Sequence, residues 1–151
     1  MSQSLSAVYL HAVFSTKDRM RFLRDPLVRI EMHAFLGGIS KQLDCPSIIV
    51  GGTDDHVHHL FMLSRTITQA DWFKETKRVS SLWIKEREPR LRKFAWQAGY
   101  GAFSVSASDI DAVRQYIANQ AEHHRKITFQ DEFRNMLKEH GLEWDERYVW
   151  D

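Results

Sequence analysis

The stretch Asp54-Asp55-His56-Val57-His58-His59-Leu60-Phe61-Met62-Leu63 constrains this chain more than any other. An apolar run of that length with no breaker reads as a strand, and side chains on a strand alternate between its two faces. His56 and His58 then point one way and Val57 points into the core, which makes a two-imidazole clamp near the head of the strand. Imidazole is a common ligand for divalent transition ions, so the pair asks for one or two further ligands from elsewhere in the fold. Unanswered, a His-x-His strand is polar decoration on a half-exposed face. His59 should point away from the pair.

The rest of the chain supplies a sheet for this strand. Residues 7–14 are aromatic and β-branched and predict a buried strand, with Val8, Leu10, Ala12 and Phe14 on one face and Tyr9, His11 and Val13 on the other. His11 reads as a hydrogen-bonded sheet histidine. Asp25-Pro26 is an N-cap followed by proline at the first helical position, and Val28, Met32, Phe35, Ile39 and Leu43 mark the buried face of the helix it opens. Cys45-Pro46 ends that helix. Ser47-Ile48-Ile49-Val50 is a short strand that turns through Gly51 to Asp55 into the His-x-His strand. Asp54 and Asp55 read as turn residues, with metal ligation or orientation of a ligand as the other role open to them.

Thr68-x-x-Asp71, Ser108-x-x-Asp111 and Thr128-x-x-Asp131 each look like a capping box opening a helix. The first helix carries Trp72, Thr76, Val79 and Trp83 on one face, the second Ile110, Val113, Ile117 and Ala121, the third Phe133, Met136 and Leu137. A strand at Ala102–Ser106 lies between the first two helices, and the third stops at His140-Gly141. The order β-α-β-β-α-β-α-α predicts an α+β fold: a ferredoxin-like antiparallel sheet with helices packed on one face, plus a C-terminal helix and tail.

A chain of 151 residues with 43% hydrophobic residues suits one domain, and a net charge of +1 does not mark the whole molecule as a polyanion binder. Charge is uneven, however: Asp71 to Lys93 is rich in Lys and Arg, and Phe129 to Asp151 in Asp and Glu. One cysteine, Cys45, excludes an internal disulfide. With no apolar run long enough for a membrane span and no signal-peptide pattern, the expectation is a cytoplasmic protein with no membrane contact.

Tyr116 and Gln120 lie four residues apart on the helix opened near Ser108, and therefore on one face of it. His56-Val57-His58 together with Tyr116-x-x-x-Gln120 resembles the single-tyrosine HUH transposases, the small insertion-sequence transposases and their REP-associated tyrosine transposase relatives. The similarity extends to Trp96-Gln97-x-Gly99-Tyr100-Gly101-Ala102-Phe103-Ser104-Val105 and to His123-His124-Arg125-Lys126-x-Thr128-Phe129-Gln130. The resemblance implies a catalytic domain over residues 1–128, with residues 129–151 as its C-terminal helix and acidic tail. It implies that Tyr116 is the nucleophile that cuts and rejoins single-stranded DNA through a 5′-phosphotyrosine link, and that His56, His58 and Gln120 hold a divalent ion. Magnesium is expected, with manganese able to substitute. A homodimer acting on hairpin-bearing DNA, with no nucleotide cofactor and with nucleoid association when at work, is also implied.

Residue chemistry agrees with this. A phenol of reference pKa about 10 is a weak nucleophile at neutral pH, and a divalent ion beside the phosphate compensates by making the electrophile more reactive. Lys77, Arg78 and Lys85, on the basic helix, are the expected DNA contacts. His123 falls near the face of Tyr116 and reads as a solvated helix-end residue. A catalytically silent, domesticated hairpin-binding relative would have a damaged Tyr116, His56, His58 or Gln120, and all four are present. A histidine-triad hydrolase needs a third histidine where Leu60 stands.

Overall fold

The computed structural model describes residues 1–151. Four strands, β1 (Tyr9–Ser15), β2 (Ser47–Gly52), β3 (His56–Met62) and β4 (Gly101–Val105), form one antiparallel sheet in the order β2-β3-β1-β4. Helices α1 (Pro26–Gln42) and α2 (Gln69–Arg87) make the two crossovers, giving the ferredoxin-like arrangement expected from the element order. Leu10, Ala12 and Phe14 of β1 and Val57 and Phe61 of β3 pack against Met32 and Leu36 of α1 and Trp72, Phe73 and Ile84 of α2. That cluster is the main core.

The caps form largely as the sequence predicts. Asp25 accepts from the Leu27 amide at 3.0 Å, and Thr68 and Thr128 accept from the Asp71 and Asp131 amides at 3.1 Å each. Ser108 does not cap a helix. A 3-10 turn at Ala107–Asp109 comes first, and α3 begins at Ile110. The expected single helix is also broken at Asn119, so that α3 (Ile110–Ala118) is followed by a one-turn α4 (Gln120–His123). Ala121 is consequently exposed rather than part of a buried stripe.

Helices cover both faces of the sheet. α1 and α2 occupy one, as expected; α3, α4 and α5 (Phe129–Glu139) lie over the other. There Val13 and Phe103 meet Phe129, Phe133, Met136 and Leu137, and Trp144, Val149 and Trp150 of the tail close the cluster. The register pairs Val13 with His58 and Ser15 with His56, so the two histidines project into this second layer. No helix is long and apolar enough to cross a membrane.

Candidate active site

The hairpin between β2 and β3 sets the clamp. Gly52 takes φ 153°, and a Cβ there would lie 2.2 Å from the His56 carbonyl oxygen, so only glycine fits the turn. His56 and His58 are fully buried and share a face, their ring centroids 5.2 Å apart. His59 faces the main core, where its Nε2 lies 2.8 Å from Ser47 Oγ. Asp55 orients His56, with Oδ1 2.8 Å from Nδ1, while Asp54 lies 3.7 Å from Arg21. The turn aspartates thus have separate jobs, and Asp55 does more than shape the backbone. His11 is the hydrogen-bonded sheet histidine expected, its Nε2 2.7 Å from His58 Nδ1.

The second layer brings the remaining groups together within one chain. Gln120 Oε1 lies 3.0 Å from His56 Nε2, and the Tyr116 ring centroid is 5.7 Å from that of His58. Between them stands Glu132 of α5, buried and missed by the sequence reading. Its Oε1 is 3.1 Å from His58 Nε2 and 3.0 Å from His124 Nε2. Its Oε2 accepts from Gln120 Nε2 at 3.0 Å and from the Tyr116 hydroxyl. His123 is partly exposed, as expected, but its Nε2 is buried and lies 3.2 Å from Glu132 Oε2, off the line of a hydrogen bond, and its ring centroid is 5.2 Å from that of Tyr116.

Burial alone would raise the Glu132 carboxyl, but the hydrogen bonds from His124, His58 and Tyr116 outweigh it and hold the group ionised, well below the usual carboxylate range. Burial, then the hydrogen bond and charge of Glu132, push the Tyr116 phenol well above its usual value. Burial draws His58 down to about 4 despite Glu132, whereas at His124 the Glu132 carboxylate wins against burial and the shift is upward. A neutral phenol therefore sits hydrogen-bonded to an ionised carboxylate, both held in those protonation states by the contact between them. One ligand atom from each of His56, His58, His124 and Glu132 lies within 4.8 Å of the others, a nitrogen-rich donor set that fits a divalent ion. A cleft of about 450 Å³ opens beside Tyr116 and Glu132, walled by Phe103, Val113, Met136 and His140.

The basic helix is not part of this assembly, since α2 packs on the other face of the sheet. Lys77 in particular is not a free cation. Its ammonium donates to the carbonyls of Gln97, Ala98 and Gly99 at 2.9, 3.3 and 2.6 Å and lies over the rings of Phe14, Phe73 and Tyr100. Arg78 is exposed and paired with Glu75 at 2.8 Å, and Lys85 is half-exposed. A signal for Glu132 was present in the sequence: it falls within the stripe of Phe129, Phe133, Met136 and Leu137, where an acid needs a partner.

Comparison with known proteins gives the family and the fold. The family described as "Transposase IS200 like" matches residues 4–120. A candidate transposase from Deinococcus radiodurans R1 shares the fold with a TM-score of 0.64 at 23% identity, over 80% of this chain and 98% of that one. A REP-associated tyrosine transposase bound to a REP hairpin shares it with a TM-score of 0.58 at 13% identity, over 82% of this chain and 74% of that one. No curated protein matches the chain. The family match covers β1 to β4, the imidazole pair, Tyr116 and Gln120, and the chain belongs to the IS200-like transposases.

Proposed function

We propose that this protein cleaves and rejoins single-stranded DNA, with Tyr116 as nucleophile and His56, His58 and Gln120 as the ligands of a divalent ion, Mg²⁺ or Mn²⁺. One observation carries the reading: the Tyr116 hydroxyl and the His58 imidazole meet on the same Glu132 carboxylate, inside a single chain. The phenol oxygen attacks a backbone phosphorus as its proton passes to Glu132 Oε2. The new bond is O–P to Tyr116, the bond broken is P–O3′, and the departing oxygen takes a proton from water to become a free 3′-OH. Attack by a 3′-OH on the phosphotyrosine reverses these changes, so rejoining needs no nucleotide cofactor. When bound, the divalent ion supplies charge withdrawal from the non-bridging phosphate oxygens. His123, beside the phenol, is placed to contact the phosphate.

A relative bound to a REP hairpin supports hairpin-bearing DNA as the substrate here. Strand exchange uses two cuts, and a homodimer supplies two phenols. Each site is then formed within one chain, because Tyr116 and the imidazoles already lie together. Arg78 and Lys85, on the far face, are proposed contacts for the flank of the hairpin, whereas Lys77 spends its donors on the carbonyls of Gln97, Ala98 and Gly99. The test is incubation with hairpin-bearing single-stranded DNA and Mg²⁺ or Mn²⁺, read on a denaturing gel. A covalent adduct is expected from the native chain and none from Tyr116→Phe. An adduct that survives the substitution rules out Tyr116.

A further inference from the structure

The hydrogen bonds on the outer nitrogens of His56 and His124 point to a fuller metal site than His56, His58 and Gln120. His56 Nδ1 faces the Asp55 carboxylate at 2.8 Å, and His124 Nδ1 faces the Ile127 carbonyl at 2.8 Å. Both partners only accept, so both histidines carry a proton on Nδ1 and aim Nε2 inward. His56 Nε2 and His124 Nε2 each lie 3.0 Å from Gln120 Oε1, and His124 Nε2 also lies 3.0 Å from Glu132 Oε1. The amide of Gln120 is held in this sense by its Nε2 bond to Glu132 Oε2 at 3.0 Å. His58 Nε2 reaches the same Glu132 Oε1 at 3.1 Å, so three imidazole nitrogens and a carboxylate oxygen converge in one buried space, where a divalent ion can take the place of the Nε2 protons.

We propose that His124 and Glu132 complete, with His56 and His58, a three-imidazole, one-carboxylate site that binds a first-row transition ion in preference to Mg²⁺. The proposal rests on reading His56 and His58 as ligands and extends it to α4 and α5. Both added residues lie beyond the residues 4–120 that the family covers, so the C-terminal segment of this chain would be part of the metal centre. Imidazole-rich sites favour ions of the manganese-to-zinc series, whereas Mg²⁺ prefers all-oxygen surroundings and keeps its water. The two oxygens of Glu132 divide the work. Oε1 faces His58 and His124 on the metal side, and Oε2 stays with Gln120 and Tyr116.

The test is titration of chelator-stripped protein with Co²⁺, followed by its visible absorption bands, with and without a large excess of Mg²⁺. One Co²⁺ per chain is expected, undisplaced by Mg²⁺. Glu132→Gln and His124→Ala should each weaken binding by at least about tenfold, since even groups that only orient ligands are worth that much. Near-ultraviolet circular dichroism identifies a variant that has lost its fold, and His124→Gln is then measured in its place by the same criterion. Co²⁺ binding that ignores both positions, or that Mg²⁺ displaces, overturns the proposal and leaves the nuclease reading standing. A chain that binds Co²⁺ as expected but forms no DNA adduct keeps the site and loses the nuclease.

Discussion

At the scale of single residues, the two most informative positions are ones whose charge is not free. Glu132 is an acid in an apolar stripe, kept ionised by the imidazole and phenol donors that surround it. Lys77 is a base whose three donors are taken by consecutive carbonyls, which ties α2 to the loop leading into β4. Replacing Lys77 by Met keeps the stem and leaves those carbonyls without their donor. The expected loss is about 1–3 kcal/mol in denaturant unfolding, with affinity for single-stranded DNA unchanged. A drop in DNA affinity at full stability would restore Lys77 to the DNA contacts. The sequence marks Lys77 as basic but cannot show that its charge is engaged, because its partners are backbone atoms that carry no residue identity. His56, His58, Tyr116 and Gln120 stand out in the sequence through the family resemblance of two short motifs, His-x-His and Tyr-x-x-x-Gln. Their union through Glu132 depends on how α5 folds back over the sheet, which no local spacing encodes.

At the scale of elements, the contact between α3 and β2 decides where Tyr116 sits. A Cβ on Gly51 would lie 2.6 Å from the Ile117 carbonyl oxygen and 2.8 Å from its Cγ2, so helix and strand approach at a distance only glycine allows. Gly51→Ala should push α3 away from the sheet. The expected cost is about 1–3 kcal/mol by thermal unfolding, accompanied by loss of adduct formation, since Ile117 is the neighbour of the proposed nucleophile. Full stability with full adduct yield would show that the approach is not needed. Strand order and both crossover helices follow from patterning, because alternation, caps and breakers agree along residues 7–106. The α3–α4 break and the second helical layer do not. A continuous stripe through Ile110, Val113, Ile117 and Ala121 predicts one straight helix, whereas the chain breaks at Asn119, and Gln120 and His124 then turn to Glu132.

For the whole molecule, one face of the sheet holds the main core and the other holds the candidate site, and buried histidines occur on both. Burial draws His59, on the core face, down to about 3 and His33 of α1 down to about 4. Their folded values lie below the ordinary 6.5, so the unfolded chain binds more protons as pH falls below that value, and stability declines toward pH 4. Each such group adds a slope of about 1.4 kcal/mol per pH unit through this window. His59→Gln should narrow the gap between urea midpoints at pH 7 and pH 5, and an unchanged gap would remove His59 from the account. The central claim is chemical, and mapping the covalent link tests it most directly. After incubation with hairpin-bearing single-stranded DNA and a divalent ion, then nuclease trimming and trypsin digestion, mass spectrometry should find nucleotide mass on the peptide from Gln115 to Arg125, localised to Tyr116. Nucleotide mass on a peptide holding Tyr100 or Tyr148, or on none while the DNA is cut, would contradict it.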